Sequence, residues 1–222
     1  MKNQDYFMQP IFAFDFSCNK PALCSNINGE ISYAVFPSDI DEISKNKLEA
    51  VDVNVFNREL PPMSKSKKMS DSELMVEHIT RARRLTDLIV SYIWFKLKDT
   101  GYSSKDSIIV NEGLSFSSRG NATLDLSGYK YILMDRLMED GFKKFYTYAP
   151  NTIKKTAECS KKGMGKEEMI QAAGNIPAHK FNNAIKNDPM SLKKKTAWVP
   201  CVDDLADAFW CMKTYIEKEG IK

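Results

Sequence analysis

IFAFDFSCNKPALCSNINGEISYAVFP, residues 11–37, decides the fold. Residues 11–17 form a short apolar and aromatic run, the pattern of a buried strand, with one carboxylate, Asp15, set inside it. Asn28-Gly29 then separates residues 22–27 from residues 30–37. That dipeptide is a strong type I′ hairpin signal, because both turn positions need positive φ. The chain therefore opens as a β-meander.

Working outward, residues 51–56 (VDVNVF) alternate and add a candidate strand, and residues 61–70 (PPMSKSKKMS) have loop composition. Residues 70–98 predict a long helix. Ser70 and Glu73 make a capping box, apolar residues recur at Leu74, Ile79, Leu85, Ile89, Ile93 and Leu97, and Gly101 ends the segment. A second buried strand, residues 107–111, leads into Glu112. Residues 123–138 are helical up to Asp140-Gly141, residues 142–148 form a strand stopped by Pro150, and residues 166–173 and 202–218 are helical. Strand hairpins followed by helix, strand, helix, strand and helices give an α/β chain: a mixed sheet with helices on both faces. The 222 residues suffice for one domain, with a basic loop near 58–70 and an insertion near 176–198.

Composition bounds the function classes. With 43% hydrophobic and 27% charged residues the chain is ordinary for a soluble domain. No uninterrupted apolar run is long enough to span a membrane, and MKNQDYFMQP has no secretory-signal pattern. Cys18, Cys24, Cys159, Cys201 and Cys211 include no C-x-x-C pair, and the histidines are His78 and His179. A structural zinc site is not expected. Scattered thiols imply a cytoplasmic or equivalent reducing compartment, whether cellular, organellar or viral. Asn121-Ala122-Thr123 matches a glycosylation sequon, which without a secretion signal is chance. The net charge of +3 says little, but residues 151–198 hold ten lysines against four acids. That stretch is either a phosphate-contacting surface or a solvated loop region.

Four carboxylates stand in awkward places. Asp15 interrupts an apolar strand, Glu112 ends another, and Asp204 and Asp207 lie in VDDLADAFW at the start of an amphipathic helix. An ionised carboxylate beside a core is costly unless paired or metal-bound. Singly, each has an ordinary explanation: a lysine partner for Asp15, a loop for Glu112, a helix N-cap at Asp203 with its neighbours favoured by the dipole. Together they make a hard-oxygen set suited to two magnesium ions. Asp204 and Asp207 share a helix face at a spacing of three, but Asp203 and Asp207 are also neighbours at four, so spacing alone leaves both open.

The ordered set FDFS (Asp15), IVNEGLSF (Glu112) and DLADA (Asp204, Asp207), with YAPNTIKKTAECSKKGMGKEEM between them, resembles the RuvC-type Holliday junction resolvases of the RNase H-like superfamily. The resemblance covers most of the chain and departs from the family pattern in the long 176–198 stretch and the 58–70 loop. It implies an RNase H-like mixed sheet and a metal site of Asp15, Glu112, Asp204 and Asp207, favouring Asp204 over Asp203. It also implies Mg2+ as cofactor, two ions per site, with Mn2+ as a substitute. Lys154 and Lys166, with Lys155 beside them, are implied phosphate contacts at the scissile bond. The wider DNA-contacting set is Phe116, Arg119, Lys154, Lys155, Lys161, Lys162 and Lys166. Phe116 either stacks on a base or packs in the core; each lysine either meets phosphate or faces solvent. The implied activity is nicking of branched DNA, above all four-way junctions, by a homodimer joined through the helix after Glu112, with Leu124, Tyr131, Ile132 and Met134 as surplus apolar residues. A packaging or RNA–DNA hybrid nuclease on the same fold, and a non-catalytic DNA-binding scaffold, are the alternatives.

Overall fold

The structure, a computed structural model, describes residues 9–60, 69–113, 121–176 and 179–219. Strands β1 (Ile11–Asp15), β2 (Ala22–Ile27) and β3 (Glu30–Val35) form the expected meander. Asn28 and Gly29 at its tip have φ of 54° and 86°, as a type I′ turn requires. A short helix α1 (Glu42–Glu49) follows, capped by Asp41, and leads to β4 (Val53–Val55). Helix α2 (Asp71–Leu97) carries the Ser70–Glu73 capping box and is followed by β5 (Ile108–Glu112). Then come α3 (Asn121–Glu139), β6 (Lys144–Tyr148), α4 (Pro150–Thr156) and α5 (Lys166–Gly174). Helix α6 (Lys180–Asn187), a 3-10 turn at Pro189–Leu192, the small hairpin β7 (Lys193–Lys194)–β8 (Ala197–Trp198) and helix α7 (Val202–Lys218) complete the chain.

The main sheet has the order β4-β3-β2-β1-β5-β6. β1 pairs antiparallel with β2 and parallel with β5, so it lies at the centre. Both faces of the sheet are covered, which is why β1 is apolar at every position from Ile11 to Phe14 rather than alternating. Ile11 and Ala13 point into the core shared with α5, α6 and α7, while Phe12 and Phe14 point into the core shared with α2 and α3. The two-residue period then aims Asp15 to the α7 side. In β5, Ile108 and Val110 face α7 and Ile109 faces α2, so Glu112 is aimed the same way.

Where it is described, the stretch 176–198 carries α6, the 3-10 turn and the β7–β8 hairpin. Phe181, Ile185 and Leu192 are buried in the α7-side core, and the Tyr33 hydroxyl donates to Asn182 Oδ1 at 2.9 Å. Arg58, counted in the basic loop, is structural: its guanidinium donates to the carbonyls of Phe36 (3.0 Å) and Cys18 (2.8 Å), tying the β1–β2 and β3–β4 connections together. Residues 61–68 of that loop lie outside the described residues. Among the described residues no helix is long and apolar enough to cross a membrane.

Candidate metal centre

The site is built where two parallel strands end. Phe14 lies opposite Asn111, so the next residues, Asp15 and Glu112, finish neighbouring strands on one face. Helix α7 crosses that face, packing on β1, β2 and β5. Its N-cap is Cys201, buried and in the left-handed region at φ 76°, with no side-chain cap. Asp203 is therefore not the N-cap, as one reading of the sequence had it, but a first-turn residue beside Asp204. The uncapped amides and the positive end of the helix dipole lie beside both acids. From there Asp204 and Asp207, three apart, reach Asp15.

The electrostatics record this convergence. Burial raises the Asp15 carboxyl well above its usual value, reinforced by the charges of Asp207, Asp204, Glu112 and, least, Asp203. Burial, with Asp203 adding to it, pushes Asp204 up to about 6. Burial, then Glu112, Asp203 and Asp204, pushes Asp207 up to about 7. Glu112 is raised by burial, partly offset by a hydrogen bond with Asp15 and by the charges of Lys130 and Lys154. Asp15 also hydrogen-bonds Asp204. Acids this close and this poorly solvated cannot all carry charge at little cost, which is why each is raised.

Among the described residues no three His, Cys, Asp or Glu side chains are already drawn together as a finished cage for an ion. In kind, however, the donor set fits a hard divalent cation. It is all oxygen, it comes from β1, β5 and α7, and its half-buried acids repel one another, which a bound cation relieves.

Two of the expected lysines stand beside the acids. Lys154, half-buried on α4, acts on Glu112. Lys166, at the start of α5, is paired with Asp203, and its charge acts on Asp204 and Asp207. Lys155, Lys161 and Lys162 are exposed nearby in sequence. Phe116 and Arg119 lie outside the described residues. Two cations went unrecognised in the sequence. Lys130, only 9% exposed, donates from Nζ to the Glu112 carbonyl at 2.6 Å. It falls on the α3 stripe of Leu126, Leu133 and Leu137, and a lysine on an apolar stripe was the available signal. Lys20, in the β1–β2 connection, lowers Asp204 and carried no such mark.

The fold is shared with solved structures. T. thermophilus RuvC in complex with Holliday junction substrate matches over 96% of this chain and 98% of that chain, at 12% identity and a TM-score of 0.51. A Thermus thermophilus RuvC structure matches over the same shares at 14% identity and a TM-score of 0.49. No family model matches the chain, and no curated protein matches it. At this identity the first of these likenesses shows the fold: a mixed six-stranded sheet flanked by helices, as in RNase H-like proteins.

Proposed function

We propose, from that fold and the acids at its sheet end, that the protein is a divalent-metal-dependent, structure-selective endonuclease that nicks branched DNA, with the four-way junction as its substrate. The observation that carries this reading is the mutual electrostatic influence of Asp15, Glu112, Asp204 and Asp207, all half-buried, with Lys154 and Lys166 beside them. A structural role would not favour mutual repulsion among half-buried carboxylates, because poorly solvated, unpaired charge destabilises a fold.

In this reading Asp15, Glu112, Asp204 and Asp207 hold Mg2+, with Mn2+ as a substitute. When bound, two such ions supply the Lewis acidity that activates water and neutralises charge on the phosphodiester. The chain's own groups do the rest. Lys166 and Lys154 place positive charge beside the acids, where a phosphate carrying developing charge would sit. Lys130 fixes the end of β5 through the Glu112 carbonyl, and so the root of the Glu112 side chain. Lys155, Lys161 and Lys162 add exposed charge for the DNA backbone. Phe116 and Arg119 complete the DNA-contacting set.

Matched nicks on opposed strands need two sites related by a two-fold axis, so the working unit is a homodimer. On α3, Tyr131 and Met138 are 66% and 62% exposed and, seven residues apart, share one outer face. Ile132 and Met134 instead pack partly against the monomer's own core, and the Leu124 side chain lies outside the described residues. The α3 outer face is the proposed contact. Comparison of a four-way junction, a flap and an RNA–DNA hybrid at equal concentration in Mg2+ tests the substrate. Preferential cutting of the junction supports the reading; preference for the hybrid or the flap replaces it with another nuclease, and binding without cutting replaces it with a scaffold.

A further inference from the structure

Asp203 is the first-turn acid of α7 that the proposed metal site does not use. It acts on Asp15 least of the four neighbouring acids, and its side chain instead meets the Lys166 ammonium. The Lys166 side chain is 74% exposed, and a long lysine so exposed has no fixed place unless something holds its end.

The backbone beneath Lys166 is held from several sides. The Trp210 indole donates to the Met169 carbonyl at 3.0 Å, locking α5 onto α7, and Ile170 and Ala173 are buried against the same core. In the first turn of α5, the Gly165 amide donates to Glu168 at 2.6 Å. The neighbouring Glu167 accepts from the Trp198 indole and lies 3.8 Å from Lys193, whose ammonium sits 4.2 Å over the Trp198 ring. Trp198 and Lys193 belong to the β7–β8 hairpin, part of the stretch that departs from the family pattern. Three successive residues are thus secured: Lys166 by α7, Glu167 by the hairpin, Glu168 by its own helix start.

We propose that Asp203 is a positioning residue: it holds the Lys166 ammonium, which projects from a helix turn buttressed by the β7–β8 hairpin, beside Asp204 and Asp207, ready for the phosphate of the bound strand. This role rests on the nuclease reading. The pair orients a flexible cation before substrate arrives, so less ordering remains for the reactive complex. The hairpin acts one step further back, by fixing the turn from which Lys166 projects.

A double-mutant cycle with Asp203→Asn and Lys166→Ala tests it, read as the single-turnover cleavage rate of a labelled four-way junction at saturating protein and Mg2+. Asp203→Asn alone is expected to slow cleavage roughly ten- to hundredfold, the scale of a displaced reacting group, with affinity little changed. In the Lys166→Ala background the same substitution should cost less than about twofold, because an effect exerted only through Lys166 disappears when Lys166 is gone. Trp198→Phe should act in the same direction, more weakly, and also be silent without Lys166. An equal cost of Asp203→Asn in both backgrounds makes Asp203 a ligand or a fold residue and overturns the proposal, as does no cost in either. A second readout needs neither metal nor DNA: in protein carrying 13C-dimethylated lysines, the Lys166 resonance should move in Asp203→Asn, and an unmoved resonance overturns the pairing. A wild-type protein that cuts no branched DNA overturns the nuclease reading and this role with it, whereas a wild type that cuts without coupling overturns this role alone.

Discussion

Replacing Asp207 by Asn should stabilise the metal-free protein, and increasingly so as pH rises. Burial first, then Glu112, Asp203 and Asp204, move the Asp207 carboxyl from its usual 3.8 to about 7. At about 1.4 kcal/mol for each tenfold change in acidity, ionising it in the folded state costs about 4 kcal/mol. Relaxation and water entry lower this, so about 2–4 kcal/mol is the expected range. The sign follows from proton counting. Between about 4 and about 7 the folded state keeps the proton that the unfolded chain has lost, so wild-type stability falls across that window and levels off above it. Asn carries no proton to lose and resembles the neutral acid in size. Its advantage should therefore be about a third as large at pH 5 as at pH 8. For a chain of this length, about 2–4 °C per kcal/mol gives a rise in melting temperature of roughly 4–16 °C at pH 8. Thermal unfolding in chelator at the two pH values measures it. In saturating Mg2+ the gap should close or invert, because the ion stabilises only the protein that binds it, and cleavage should be lost. A variant that in chelator at pH 8 melts at or below the wild type would show that Asp207 is not held among poorly solvated, mutually repelling acids, and would refute the reasoning.

Asp15→Asn should abolish cleavage while leaving junction binding within a few-fold of wild type, by gel shift in calcium or chelator, since it removes a ligand and not the DNA surface; undiminished cutting would sink the metal assignment. Asp204→Asn should be far more damaging than Asp203→Asn, and the reverse order would mean that the α7 register is misassigned. Lys154→Ala and Lys166→Ala should lower the single-turnover rate more than the affinity, because affinity is spread over many phosphates; unchanged rates would place both outside the reacting centre. Light scattering at micromolar concentration should give a dimer that Tyr131→Lys weakens, and a monomer that stays monomeric on junction DNA would end the paired-nick mechanism while leaving the metal site intact.

The central architecture was legible because its signals are local. The Asn28-Gly29 turn and the Ser70–Glu73 box need nothing beyond their own neighbours. The direction of Asp15 was not legible: Ile11 to Phe14 are apolar throughout, so alternation could not say which face the carboxylate takes until α7 was seen packed there. Helix α1 escaped notice because it buries only Ser44 and Leu48, and α6 because it is one short amphipathic turn pair between prolines. The α2 stripe was traced too far toward its start, where Leu74 and Ile79 are exposed. Of the site itself, the acids stood out as charges in apolar surroundings. The pairing of Lys166 with Asp203, the support from Lys130 and the left-handed Cys201 at the start of α7 depend on how distant segments meet, and spacing along the chain does not encode that.

The most direct measurement is to map the cuts in an immobile four-way junction, each strand end-labelled in turn, incubated with the wild-type protein with and without Mg2+. Symmetric nicks on two opposed strands in Mg2+, and intact strands in chelator, are the expected result. Strands left intact in both Mg2+ and Mn2+ by protein that is folded and bound to the junction would contradict the account.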